Sequence, residues 1–208
     1  MKRHRVGIVL FEDIEVLDFC GPFEVFSVTR INEEKRREEP SPFEVVLIAE
    51  RPGPVTTTGR MRVIPDYTFE NCPRLEIMIT PGGWGTRKEL TNQVMIEWLR
   101  ARAAEADIVA AVCTGSMLLG SAGLLDGLRA TTHWRSLDWM RESFPSVDVE
   151  YGKHFVEDGR VFTSAGISAG IDMSLRVVAR YLGENIARAT ARHMEYPYPE
   201  SDARRVQI

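Results

Sequence analysis

One of the three cysteines in this 208-residue chain, Cys113, stands where a side chain is easily put to chemical use. It closes the apolar run Ile108-Val109-Ala110-Ala111-Val112 and is followed at once by Thr114-Gly115-Ser116 and a helix-like stretch containing Met117, Leu118, Leu119, Gly120 and Ala122. A strand, a tight turn and a helix start hold the corner residue away from both elements, where a substrate can reach it. The free N–H groups and positive dipole end of a helix favour a thiolate over a thiol, so Cys113 reads as a nucleophile. The plainer reading is a packed cysteine that ends a core strand.

A nucleophile needs a partner that moves protons, and Asp18 is a candidate. It lies in Val16-Leu17-Asp18-Phe19-Cys20-Gly21-Pro22, where burial raises a carboxyl pKa and leaves it able to hold a proton near neutrality. Helix-start grammar taken alone favours reading it as the N-cap of a helix beginning at Gly21-Pro22. Gly82 and Gly83, after the turn residue Pro81, lack side chains, so a substrate can approach their N–H groups and have negative charge stabilised there. Pro-Gly-Gly is also an ordinary strand-ending turn. Thr114 offers a hydroxyl and an N–H beside the thiol, or simply caps the helix. His133 would be a general base, but beside Trp134 it reads better as a hydrogen-bonded support behind the site. Cys20 is close enough to Asp18 in sequence to line a pocket, though it and Cys72 also read as packed thiols. Trp84, Phe19, Phe23 and Trp134 are either pocket lining or core.

The elements that must position these groups alternate. Residues 6–11, 43–49, 75–80 and 107–112 are apolar strand-like runs, and helices follow from Gly21, from Val94 and after Cys113. Residues 55–64 read as a hairpin turning at Gly59-Arg60, and residues 156–162 as another around Asp158-Gly159. Residues 129–134 and 147–149 are short strand-like segments flanking a helix at 136–144, and helical spacing returns at 171–182 and 184–194. The charged stretch 32–39 reads as a solvated helix end and loop. Strand and helix in alternation predict an open, mostly parallel sheet covered on both faces, with ligands at the carboxyl ends of its strands. Cys113, Gly82-Gly83 and the loop after the first strand all fall at that edge.

Composition sets outer limits. With 44% apolar residues and a formal charge of −4 the chain reads as one globular domain over residues 1–208, without the basic excess that direct nucleic-acid binding requires. The basic start, Met1 to Arg5, runs into a β-branched segment unlike a signal sequence, and no apolar run reaches bilayer length. An odd number of cysteines without Cys-x-x-Cys or Cys/His spacing points to a reducing, cytoplasmic setting and no metal site.

Three stretches together resemble the ThiJ/PfpI superfamily, which shares the fold of class I glutamine amidotransferases: residues 110–127 around Cys113-Thr-Gly-Ser, Ala130-Thr-Thr-His-Trp134, and Thr163-Ser-Ala-Gly-Ile-Ser-Ala-Gly-Ile-Asp172. With Leu17 to Phe26 and Glu195-Tyr-Pro197 the resemblance spans nearly the whole chain. It implies a three-layer, flavodoxin-like α/β sandwich with the cysteine at a nucleophile elbow. Asp18 ahead of Gly-Pro, combined with Cys-Thr-Gly-Ser, is similar to the isonitrile hydratase branch. That implies Cys113 as nucleophile, Asp18 as general acid and base, a pocket shaped by Thr114, Gly82 and Gly83, and a small-molecule substrate hydrated to an N-substituted formamide without a cofactor. Relatives commonly pair, so a homodimer is expected. Protease-like members carry histidine directly after the cysteine, where this chain has Thr114, which argues against a peptidase; an amidase or peptidase using Cys113 with His133 stands as a further alternative. Similar domains form the ligand-sensing half of AraC-type regulators, whose DNA-binding segments would follow Ile208. A standalone small-molecule or oxidation sensor is therefore the alternative.

Overall fold

The computed structural model describes residues 3–207; Met1 and Lys2 of the basic start, and Ile208, lie outside them. In chain order the elements are β1 (His4–Leu10), α1 (Val16–Val28), β2 (Phe43–Ala49), β3 (Val55–Thr56), β4 (Arg62–Val63), β5 (Tyr67–Thr68), β6 (Ile77–Thr80), α2 (Thr86–Glu89) and α3 (Gln93–Glu105). There follow β7 (Ile108–Val112), α4 (Gly115–Ser121), β8 (Arg129–Ala130), α5 (Leu137–Ser143), β9 (Asp148–Val149), β10 (Phe155–Asp158), β11 (Val161–Ser164), α6 (Ala169–Leu182) and α7 (Glu184–His193).

Seven strands form one sheet in the order β10-β11-β7-β6-β1-β2-β5, and every neighbouring pair is parallel except β10 with β11. The central strands are apolar through nearly all of their buried length because both faces are covered: Val6 to Leu10, Ile77 to Thr80 and Ile108 to Val112 are all buried. From β1 the chain crosses to β2 on one side, and from β6 to β7 on the other. Right-handed crossovers in opposite directions put α1 and α3 on opposite faces. Helices α6 and α7 join α1, while α2 and α4 sit with α3. The reversal leaves a crevice between the carboxyl ends of β1 and β6, the place where open α/β sheets bind ligands.

Both expected hairpins form, β3 with β4 around Arg60 at φ 68° and β10 with β11 around Gly159 at φ 60°. Two expectations change. The strand-like reading of 129–134 shrinks to Arg129–Ala130, because Trp134–Ser136 turns into a short 3-10 helix. Helix α1 begins at Val16 rather than Gly21, so Pro22 lies inside it. Glu15 is the cap, its carboxylate accepting the Val16 N–H at 3.2 Å, and Asp18 is therefore a first-turn residue and not the N-cap.

Candidate active site

Cys113 adopts φ 56°, a conformation that costs a residue with a Cβ free energy and persists only when its surroundings hold it. They do so on every side. The Cys113 N–H donates to the Ser164 carbonyl at 3.1 Å, while its own carbonyl accepts from the Thr132 hydroxyl at 2.9 Å and the Ser116 hydroxyl at 3.0 Å. Gly115 permits the turn, since a Cβ there would collide with the Thr80 carbonyl oxygen. A second left-handed residue, Ile167 at φ 45°, lies across the same cavity, and for a β-branched side chain that is a marked departure.

The cavity holds about 660 Å³ and is lined at its base by Cys113, Thr114, Gly83 and Glu15, and farther out by His133, Trp134, Arg135, Trp139, Trp84, Arg87 and Ile167. Cys113 is only 6% exposed, yet it reaches this space. Asp18 is wholly buried beside it, and its carboxyl and the thiol interact directly. Asp18 Oδ2 accepts the Gly82 N–H at 3.0 Å, whereas Oδ1 is buried without a well-aligned partner.

The electrostatics correct the expectation of a ready thiolate. Burial, followed by the negative charge of Asp18, pushes the Cys113 thiol well above its ordinary range, outweighing the opposing N–H of Thr114. Burial likewise raises Asp18 from 3.8 to about 7, with the Gly82 N–H and Cys113 working against it and Glu15 adding to it. The free protein thus carries a thiol beside a carboxyl able to exchange a proton near neutrality.

Gly82 and Gly83 contribute differently from the expected anion cradle. Gly82 N–H is committed to Asp18, and Gly83 N–H donates to the Thr114 hydroxyl at 3.1 Å, so neither is free for a substrate. They anchor the two side chains. Gly82 cannot carry a Cβ, which would lie 2.5 Å from Thr114 Oγ1 and 2.6 Å from Thr114 N. Thr114 Oγ1 also bonds Thr86 Oγ1 at 3.0 Å, fixing its rotamer. The Thr114 N–H acts on the sulfur, opposing the upward effect of burial on the thiol.

Cys20 does not line the cavity. Residues two apart on a helix point to nearly opposite sides, so the burial of Asp18 turns Cys20 away. His133 does line it, but no hydrogen bond joins it to Cys113 among the described residues. Its Nδ1 accepts the Arg135 N–H at 3.3 Å, and burial together with Arg135 and Arg204 lowers its pKa, leaving a neutral ring. Trp84 and Trp134 are pocket residues as one reading had it, whereas Phe19 is core and Phe23 lies elsewhere on α1. Glu15, Arg87, Arg135, Trp139 and Ile167 were not anticipated. Among the described residues no group of three or more His, Cys, Asp or Glu side chains forms a metal site, and no helix is long and apolar enough to cross a membrane.

A buried Cys–Asp pair at a left-handed elbow, over a crevice at the sheet's point of reversal, is the arrangement that the sequence resemblance implied. The DJ-1/PfpI family profile matches residues 4–180. The chain belongs to the DJ-1/PfpI family. It is 34% identical over 200 residues to the isonitrile hydratase of Pseudomonas putida, covering 96% of this chain and 82% of that one. It is also 33% identical over 156 residues to the HTH-type transcriptional regulator GbdR of Pseudomonas aeruginosa, covering 74% of this chain but only 42% of the regulator. Among solved structures, a ThiJ/PfpI family protein from Pseudomonas syringae superposes with a TM-score of 0.83 at 29% identity, covering 97% of this chain and 79% of that one. The α/β family fold expected from the sequence is therefore present.

Proposed function

We propose that this family member is an isonitrile hydratase, converting R–N≡C and water to the formamide R–NH–CHO. The observation that carries the reading is the buried Cys113 thiol sharing its environment with a carboxyl whose pKa is about 7, at the base of an aromatic-lined cavity. The terminal carbon of an isonitrile has a lone pair and is also electrophilic, so it needs a nucleophile and a proton at one atom. A cysteine and an acid in contact supply both.

Asp18 takes the Cys113 proton, and sulfur forms a bond to the isonitrile carbon. Asp18 returns the proton to that same carbon, giving the thioimidate Cys113-S–CH=N–R. Asp18, again ionised, draws a proton from water as the oxygen adds to the CH carbon, and the C=N electron pair moves to nitrogen, which takes the proton. Collapse of the tetrahedral adduct breaks the C–S bond, the leaving sulfur is reprotonated from the oxygen by way of Asp18, and the formamide departs. The Thr114 N–H stabilises charge on sulfur in both the attacking and leaving stages.

The test is incubation of the purified protein with alkyl and aryl isonitriles, following formamide by NMR and the protein by intact-mass spectrometry. Wild type forms the formamide and Cys113→Ala does not; absence of isonitrile consumption by wild type across the panel ends this reading. Similarity to a transcriptional regulator supports a second reading, in which the same cavity binds a small molecule without turnover. Ligand-dependent thermal stabilisation without product would favour it.

A further inference from the structure

The outer wall of the cavity carries two guanidinium groups that the reaction does not use. Arg87 lies over two indoles, its Cζ 4.8 Å from the Trp84 ring centre and 5.4 Å from that of Trp139. Arg135 stacks on Trp134 at 4.7 Å. Among the described residues neither guanidinium has a carboxylate or carbonyl partner, although the chain pairs many other arginines with acids. Stacking engages the face of a guanidinium and leaves the N–H donors around its edge free. It also restrains a long side chain that would otherwise lose entropy on binding. Charge is unevenly spread through the cavity. Glu15 stands at the Cys113 end, close enough to Asp18 to act on it, whereas the two arginines stand with the indoles. An anion is repelled from the first region and drawn to the second, so a molecule with one anionic end has one favoured orientation.

We propose that the substrate's organic substituent is aromatic or otherwise apolar and ends in a carboxylate, which Arg87 and Arg135 bind while the isocyano carbon reaches Cys113. This rests on the hydratase reading and adds the substrate class. The substituent lies among Trp84, Trp134 and Trp139, and the carboxylate meets in-plane donors suited to its two oxygens.

The experiment compares 4-isocyanobenzoate with uncharged 4-isocyanotoluene as substrates for the wild type and for Arg87→Met and Arg135→Met. Wild type favours the carboxylate in kcat/KM by at least about tenfold, as expected for one charge-assisted contact. Each substitution cuts that preference several-fold, through KM rather than kcat. Equal use of the two compounds, or a preference insensitive to both substitutions, overturns the proposal while leaving the hydratase reading intact. If neither compound is consumed, the proposed substrate class falls; if the alkyl and aryl panel is untouched as well, the hydratase reading falls with it, and calorimetric titration with benzoate and benzamide tests the anion site alone. Arginine-dependent preference for benzoate then sustains it as a carboxylate site, and equal affinities remove it.

Discussion

Asp18→Asn separates the two roles of the buried carboxyl, because it should lower activity while raising stability at neutral pH. Asp18 has a folded-state pKa of about 7 against 3.8 when unfolded, so between those values the folded protein holds a proton that the unfolded chain has released. Stability of the wild type accordingly falls as pH rises from about 4 to about 7 and levels off above that. A shift of roughly three units, at about 1.4 kcal/mol each, makes the swing about 4 kcal/mol. Asparagine has no such titration. Its carbonyl keeps the Gly82 hydrogen bond, but its amide takes the place of a buried oxygen that has no hydrogen-bond partner, a cost of about 1–2 kcal/mol at every pH. The variant is then slightly less stable than wild type near pH 4.5 and about 2–3 kcal/mol more stable at pH 8, or roughly 5–10 °C in Tm for a chain of this length. The assay is differential scanning fluorimetry of both proteins from pH 4.5 to 8.5, with formamide formation, expected to fall about 10²- to 10⁴-fold, measured alongside. A Tm difference that stays constant across this range refutes the claim that Asp18 is buried and protonated near neutrality.

Two further outcomes follow from the same geometry. Formation of the attacking sulfur requires one proton to leave the Cys113–Asp18 pair, so log kcat/KM rises with pH up to about 7 and is flat from there to about 9, the Cys113 thiol titrating well above its ordinary value; a rate independent of pH between 5.5 and 8 contradicts this. Gly82→Ala forces a Cβ to within 2.5 Å of Thr114 Oγ1 and 3.0 Å of Asp18 Oδ2, displacing both anchored side chains, so thermal stability falls by about 1–3 kcal/mol and formamide formation by about 10²-fold. Wild-type kcat/KM in that variant would show that the anchors do not position the pair.

The parts of this site that can be read from the sequence are those whose physics is local. A β-branched and alanine run stopping at Cys-Thr-Gly-Ser announces a strand, a tight turn and a helix within a few residues, which puts Cys113 at the corner but leaves a packed thiol as open as a reactive one until the family resemblance is added. The start of α1 misleads because the preference of proline for a first helical turn is also local, whereas the helix is decided by burial of Phe19, Val25 and Phe26 against the sheet and neighbouring helices. Pro22 removes the N–H that would have bonded the Asp18 carbonyl, and packing of that face maintains the helix through the gap. Gly82 and Gly83 were placed at the site, but a sequence does not show whether an N–H is free, and here both are taken by side chains 31 or 64 positions away.

The Arg87 platform has no sequence signature, since Trp84 comes from the loop before α2 and Trp139 from α5. This division has a chemical meaning. The reacting pair depends on an elbow and a buried first turn, which the family fold supplies with Cys113 and Asp18. The indoles and guanidinium groups sit on α2, α5 and the loops beside them, where side chains can change without disturbing the strained turn that holds the sulfur. On the proposed hydratase reading, the elbow and the buried carboxyl set reactivity toward the isocyano carbon, and the outer wall sets the choice of substituent. Substitutions at Arg87 and Arg135 should accordingly change which isonitrile is preferred and leave the pH dependence set by Asp18 unmoved, because the latter arises from burial and contacts that the outer wall does not share.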